Sequence, residues 1–380
     1  MKKIQLNCIE KVNLNIDNQT EPINEKFLQY RELLNNTKDL FNTIPSNSFN
    51  QLSRYVDAFR TIKNNLYKTY SMQIVTNASL KIYEIISQFK LLNPKLNNVF
   101  CNAELPGGFI MSINHYIKTM YPNSNFNWLA SSFINQENTL TDLYHIYKYN
   151  KDNWIMDNTI NGDLTNPLIV VELANRVHKR FINGATLYTS DIGTDVSSNF
   201  NLQEEQTLTL NYGQVLCGLL SLAINGNMVT KQFTFFTPFN RSLLILLCNL
   251  FKKVFITKPA TSKTLNSEIY IVSLGFKGLN EEVKSYLLKR LSSVDQNVPL
   301  IWYSSKCDTK LLNIAKKIYN IQMEYIRDAV YLYNSNKDSI QHIQKIMEDI
   351  NINTQNKWLI DNPMKKLEIK NYIPSNVILK

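Results

Sequence analysis

The chain has 380 residues, 44% of them hydrophobic, enough to bury a substantial core in a central domain with added flanks. Its 41 Lys and Arg against 31 Asp and Glu give a formal net charge of +10, which favours a polyanionic partner through counterion release, although Lys-rich codon usage in an AT-rich genome produces the same bias. The five cysteines (Cys8, Cys101, Cys217, Cys248, Cys307) form neither a paired zinc motif nor a compact disulfide framework, and none of the four histidines (His115, His145, His178, His342) has zinc-ligand spacing. This argues against a zinc enzyme and for a reducing compartment.

In chain order, Met1-Lys2-Lys3 runs directly into Gln5, Asn7, Glu10 and Lys11, with no apolar stretch of signal-peptide length. Phe59, Ile62, Leu66 and Tyr70 recur at helical spacing, so residues 1–70 are expected to form a helical extension. Over residues 71–280 short β-type runs alternate with helical ones, the pattern of an α/β domain with a parallel sheet and crossover helices. The expected strands are 98–101, 126–130, 185–189, 228–233, 254–257 and 269–274. Two helical faces lie between them, one on Leu208, Val215, Leu219 and Leu222 and one on Leu243, Leu244, Leu247 and Phe251. The most apolar run, Leu243 to Cys248, is closed by Asn249 and Lys252, far short of the roughly 18 residues of a membrane span, and reads as a buried helix. Residues 281–380 are expected to form a second helical extension. There Asp308 would cap a helix with Ile314, Ile318, Ile321 and Tyr325 on its apolar face, and a further helix would carry Ile343, Ile346, Met347 and Ile350.

The stretch from Cys101 through Glu104, Pro106, Gly107, Gly108 and Phe109 follows an expected strand and leads into a helical stripe. Strand, glycine turn and helix is the arrangement in which a backbone approaches a nucleotide cofactor, and it is also an ordinary structural turn. It lacks the Lys-Ser or Lys-Thr ending of a phosphate loop and the spaced glycines of a dinucleotide fingerprint, which disfavours nucleoside triphosphates and NAD.

The segment from Asn102 to Phe109, continuing through Ile113-Asn114-His115-Tyr116, resembles the cofactor loop of FtsJ-like 2′-O-methyltransferases. More narrowly it is similar to the Adrift-type branch, which comprises the cap-2 ribose methyltransferases, and to FtsJ-type proteins of large cytoplasmic DNA viruses such as African swine fever virus. The likeness continues in order: Thr76 to Ile85 around Lys81, Phe126 to Ser131 with Trp128, Asn161-Gly162-Asp163-Leu164, and Thr189-Ser190-Asp191-Ile192-Gly193. It closes with Gln203-Glu204-Glu205 and Gln214, Gly226 to Thr234 around Lys231, Lys258 to Lys263, and Asn266 to Val272 around Glu268. Many relatives carry Asp where this chain has Cys101, whereas the Adrift-type branch places its acid where Glu104 stands; Asn227 replaces a frequent glycine and is expected in a turn. The chain is too short to hold the second, inactive domain of animal cap-2 enzymes.

The resemblance implies a Rossmann-like methyltransferase sheet sandwiched by helices, S-adenosylmethionine as cofactor, no metal, and Lys81, Asp191, Lys231 and Glu268 as the catalytic set. It further implies cofactor contacts from Glu104, Pro106, Gly107, Gly108, Phe109, Trp128, Asp163 and Asp191, and RNA, most narrowly capped mRNA handled with the capping or transcription machinery, as substrate. With no membrane segment expected, the cytoplasm is the default location, and the virion a further one for a viral protein. A ribose hydroxyl is a very weak acid, and a lysine removes its proton only if its own pKa falls, which partial burial and a second ammonium promote. Lys231 is the expected base, Lys81 its neighbouring cation, with Asp191 and Glu268 orienting them. Aromatics in 233–239 could stack on bases or pack in the core. Ribosomal RNA as substrate, or a non-catalytic RNA-binding subunit with a broken tetrad, are the competing readings.

Overall fold

The computed structural model describes residues 2–9, 14, 24–134, 142–157, 159–193, 200–337 and 339–377. Residues 10–13 and 15–23 of the helical extension expected over 1–70 lie outside the described residues. Seven strands form one sheet: β1 (Lys2–Leu6), β2 (Leu96–Asn102), β3 (Asn125–Ser131), β4 (Ala185–Ser190), β5 (Leu222–Gln232), β6 (Phe251–Lys258) and β7 (Ile269–Phe276). Their order is β1-β6-β7-β5-β4-β2-β3.

The neighbours β3, β2, β4 and β5 run parallel, but β7 is antiparallel to both β5 and β6, so the sheet is mixed rather than all-parallel. The connection 259–268 is shorter than the dozen or so residues a parallel crossover needs, and the chain turns back instead. The N-terminus departs from the all-helical expectation as well. β1 pairs antiparallel with β6, from Lys2 opposite Lys258 to Leu6 opposite Val254, with Leu6 buried and Lys3 and Gln5 exposed, the alternation of an edge strand.

The pleat divides the core into two layers. Phe100, Leu129, Tyr188, Met228 and Ile271 point to one face, while Val99, Cys101, Trp128, Leu187, Val229 and Tyr270 point to the other. Four helices precede β2: α1 (Glu25–Lys38), α2 (Ser46–Tyr55), α3 (Ile62–Tyr70) and α4 (Asn77–Phe89). α5 (Gly108–Met120) joins β2 to β3, and α6 (Ile146–Tyr149) and α7 (Pro167–Arg180) lead to β4. α8 (Gln203–Gln206) and α9 (Leu208–Ser221) lead to β5, and α10 (Pro238–Leu250) to β6. After β7 come α11 (Glu281–Leu291), α12 (Ser305–Asn334) and α13 (Ile340–Asp361). Buried residues of α3, α4 and α5 share the second face, and those of α1, α7, α9, α10 and α12 share the first.

Several expected boundaries shift. Leu222 and Phe251 adopt extended backbone and begin strands instead of ending helical faces. Asn227 lies inside β5 with its side chain bonded to Leu91 and Gly275, and the left-handed turn falls at Asn225. Asp308 is not a cap: α12 begins at Ser305, and its buried stripe runs through Leu311, Ala315, Ile318, Gln322 and Ile326, leaving Tyr325 48% exposed. On α13 only Ile343 of the expected face is buried, with Ile346 and Ile350 exposed. Among the described residues no helix is long and apolar enough to cross a membrane.

Asp308 instead forms a buried ion pair with Arg241 of α10, 2.9 Å from Nε. Arg241 also donates to Tyr303 and the Phe236 carbonyl and stacks over Phe27, so one guanidinium ties α1, α10 and α12 together. Removing one partner of such a pair leaves an unpaired buried charge, which costs about 3–5 kcal/mol. Asp308→Ala is therefore expected to lower the unfolding free energy by about that amount in urea titrations; a loss below about 1 kcal/mol would show that Arg241 is served by its other partners alone.

Candidate active site

β2 sits between β3 and β4, so the connections leaving its neighbourhood diverge, and the crevice at the carboxyl ends of these strands is where open α/β sheets bind ligands. The loop after β2 is tightly built there. Ala103 takes positive φ, the Leu105-Pro106 bond is cis, and Gly107 at φ 107° opens α5. A side chain at Gly107 would strike Ile146, and one at Gly108 would reach within 2.9 Å of the Thr76 hydroxyl, so α4 and α5 begin in close contact. Glu104 is buried and its Oε1 accepts from the Phe109 and Ile110 N–H groups, both at 2.9 Å, satisfying the free donors at the start of α5.

Burial pushes the Glu104 carboxyl up to about 8, against the two backbone bonds and with the negative charge of Asp191 adding to the rise. Cys101 lies fully buried in hydrogen-bond contact with Glu104, so the strand position and the loop position converge on one spot; burial, then Glu104, hold the Cys101 thiol well above its usual range.

A cavity of about 550 Å³, within the range of small-molecule sites, is lined by Glu104 and its loop, by the start of α4, and by Asp191, Lys63 and Tyr144. Two acidic side chains line one cavity, and a ligand bearing positive charge would favour the ionised form of both. Among the described residues no cluster of His, Cys, Asp and Glu is placed to hold a metal ion.

Beside this cavity the four residues singled out from sequence come together as two crossed pairs. Lys81, in the second turn of α4, lies 2.7 and 2.8 Å from the two oxygens of Glu268, which directly precedes β7. Lys231, near the end of β5, lies 3.1 Å from both the Asp191 carboxylate and its carbonyl, just beyond β4. Burial opposes ionisation of Glu268, but the charges of Lys81 and Lys231, with hydrogen bonds from Lys81 and Ser262, outweigh it and hold the carboxyl below its ordinary range.

Other groups fix these pairs. Tyr270 stands directly across the β5–β7 ladder from Lys231 and donates to Asp191 at 2.7 Å; burial, then Asp191 and Glu268, push its phenol far up. Ser262 donates to Glu268 at 2.6 Å, and Gln214 of α9 donates to the Lys231 carbonyl at 2.7 Å. Lys258 donates to the carbonyls of Asn266 and Glu268 beneath the site, and burial lowers it to about 7, with Glu268 opposing and Lys81 adding to the fall. Glu84, one turn beyond Lys81, accepts from Ala260, Thr261 and the Trp358 indole, locking α4 to the loop that carries Ser262. Tyr270, Ser262 and Lys258 all lie in segments matched by the resemblance, yet pairwise register was needed to see their contacts.

The remaining expected site residues are spread out. Asp163 sits in a turn whose Oδ1 accepts from the Thr165 N–H and hydroxyl, beyond the end of β3. Trp128 points into the α4–α5 layer and meets Trp154 edge-on at 6.3 Å; it does not line the cavity. Phe109 is 2% exposed, lines the cavity and donates its backbone N–H to Glu104. The aromatics of 233–239 also pack inward: Phe235, Phe236 and Phe239 are 0%, 3% and 0% exposed, because Glu204 accepts from Thr234, Phe236, Thr237 and Asn240 and folds this loop onto the core.

A family model described as FtsJ-like methyltransferase matches residues 74–276. The chain is 34% identical over 333 residues to the probable methyltransferase EP424R of African swine fever virus, covering 84% of this chain and 78% of that one. It is 28% identical over 334 residues to the Drosophila melanogaster cap-specific mRNA (nucleoside-2′-O-)-methyltransferase 2, covering 83% of this chain and 47% of the fly protein. A crystal structure of a Plasmodium falciparum protein named as a ribosomal RNA methyltransferase superposes with a TM-score of 0.39 at 16% identity, over 54% of this chain and 99% of that one.

The Glu104 shift sets a proton balance for cation binding. A carboxyl at about 8 is mostly protonated at pH 7, whereas a cationic ligand binds its ionised form, so binding releases a proton and affinity rises as pH approaches 8 from below. Titrating S-adenosylmethionine in buffers of different ionisation enthalpy at pH 7 is expected to show this release, and Glu104→Gln to abolish it. Equal release by the two proteins would contradict the assignment.

Proposed function

Because this chain belongs to the FtsJ-like methyltransferase family, we propose that it methylates the ribose 2′-hydroxyl of RNA, at cap-proximal nucleotides of mRNA. The observation that carries the reading is the pair of crossed lysine–carboxylate contacts at the carboxyl end of the sheet, beside a cavity whose acids suit a cationic cofactor. S-adenosylmethionine, when bound, supplies an electrophilic methyl group on a positively charged sulfonium.

Lys231 is the group that takes the proton from the 2′-hydroxyl as the oxygen attacks. Asp191 holds the Lys231 amine by side chain and carbonyl together, and Tyr270 keeps that carboxylate from rotating away. Lys81, gripped by both oxygens of Glu268, presents its charge to the ribose or phosphate oxygens of the substrate. Holding these groups at fixed positions contributes much of the rate, since pre-oriented reactants can gain roughly 7–11 kcal/mol.

On the cofactor side Glu104 and Asp191 would face its positive charges, the turn at Pro106, Gly107 and Gly108 would give backbone access, and Asp163 would accept from the adenine amino group. Phe109 and Trp128 are buried in the core layer on that side of the sheet. The cap assignment draws on the printed name of the fly relative and on the similarity to a viral methyltransferase. The protein so described works in the cytoplasm with the capping or transcription machinery, and residues 71–280 are its methyltransferase unit.

Purified protein with labelled S-adenosylmethionine and matched RNAs tests both levels. Label is expected on RNA with a methylated cap and not on RNA ending in a triphosphate; equal labelling would favour a non-cap RNA. Lys231→Ala is expected to lower kcat by about 10²- to 10⁴-fold while leaving S-adenosylhomocysteine affinity nearly unchanged. Undiminished transfer by this variant would remove Lys231 from the chemistry.

A further inference from the structure

Lys63 projects from the first turn of α3, outside the segment matched by the family model. Ile62 and Leu66 bury the inner face of that helix, and Lys63 is left on the wall of the cavity that holds Glu104 and Asp191. Among the described residues its ammonium has no ion-pair or hydrogen-bond partner; the charges acting on it are Asp57 and Lys263. A half-buried cation without a partner is unfavourable unless an anion meets it.

The acidic and basic side chains of the cavity lining are Glu104, Asp191 and this one lysine, and a bound cation favours the ionised form of both acids. The methionine portion of S-adenosylmethionine carries the complementary set, an ammonium and a sulfonium with one carboxylate. The opening turn of α4 faces the same cavity. Thr76 and Ser79 cap each other reciprocally, so the N–H groups of Asn77 and Ala78 are left to point along the helix axis and add a weak positive field beside Lys63.

We infer that Lys63 binds the methionine carboxylate of the cofactor, so that the N-terminal helices complete a site the sheet and its loops leave open. This rests on the proposed cofactor and adds a residue to its recognition. RNA phosphate is the other anion available to a lysine, but the two acids sharing the cavity disfavour a polyanion there.

Isothermal titration of the full chain with two ligands separates these cases: S-adenosylhomocysteine, which has the amino-acid portion, and 5′-methylthioadenosine, which lacks it. Lys63→Met is expected to weaken S-adenosylhomocysteine by about 10- to 100-fold and leave 5′-methylthioadenosine within about 2-fold, which also shows that the variant is folded. Lys63→Arg should keep most of the affinity. Equal loss for both ligands, or loss for neither, overturns the assignment, as does an unchanged S-adenosylhomocysteine affinity with weakened binding of an oligoribonucleotide. Failure of the unaltered protein to bind either ligand would instead defeat the cofactor reading itself.

Discussion

Two ammonium groups and two carboxylates largely withdrawn from water at one end of a sheet cost several kcal/mol per ion before they pair. Much of the structure around them makes that pairing hold. Three of the four charges have a second partner besides their opposite, Ser262 for Glu268, Tyr270 for Asp191 and the Asp191 carbonyl for Lys231, while Lys81 is held by both oxygens of Glu268. Beneath them Lys258 and Gln214 fix the backbone that carries Glu268 and Lys231. A reaction that depends on removing a proton from a weak acid needs groups that do not reorganise, and this web of contacts supplies that rigidity.

The flanks take part in the same task. Glu84 binds the Trp358 indole of α13, and the chain beyond it returns across the α4–α5 layer. His115 meets the Lys365 carbonyl, Asn114 that of Asn371, and Gln73 both donates to and accepts from Ile373. Leu367 bonds the Tyr70 carbonyl where α3 ends, and Asn376 bonds that of Tyr144 at the cavity wall. The segment that aims α3 and the start of α4 toward the cavity is thus braced by residues about a hundred positions beyond the end of the family match.

The two lysines and two acids proposed for catalysis are legible in the sequence because each lies in a recognisable motif on or beside a strand or helix, and the fold brings those motifs to one sheet end. What sequence could not supply was pairing. Tyr270 reads as an ordinary strand aromatic until the antiparallel register sets it opposite Lys231. Glu84 and Glu204 look like solvated acids, yet each is buried under four donors from distant segments. β1 carries little signal because its five residues include two lysines, and of the stripe expected on α12 Ile314 and Ile318 are buried while Tyr325, apolar enough to read as core, faces solvent. The aromatic loop after β5 belongs to the same class: composition allowed an RNA platform, and Glu204 turns it inward.

The central claim is that these pairs act on a ribose hydroxyl and on no base atom. It is tested most directly by mass spectrometry of nucleosides from RNA treated with the protein and S-adenosylmethionine, alongside an RNA whose target nucleotide is 2′-deoxy. The account predicts one 2′-O-methylated nucleoside in the first RNA and no methylation in the second. Methyl groups on a base, or equal modification of the deoxy substrate, would contradict it.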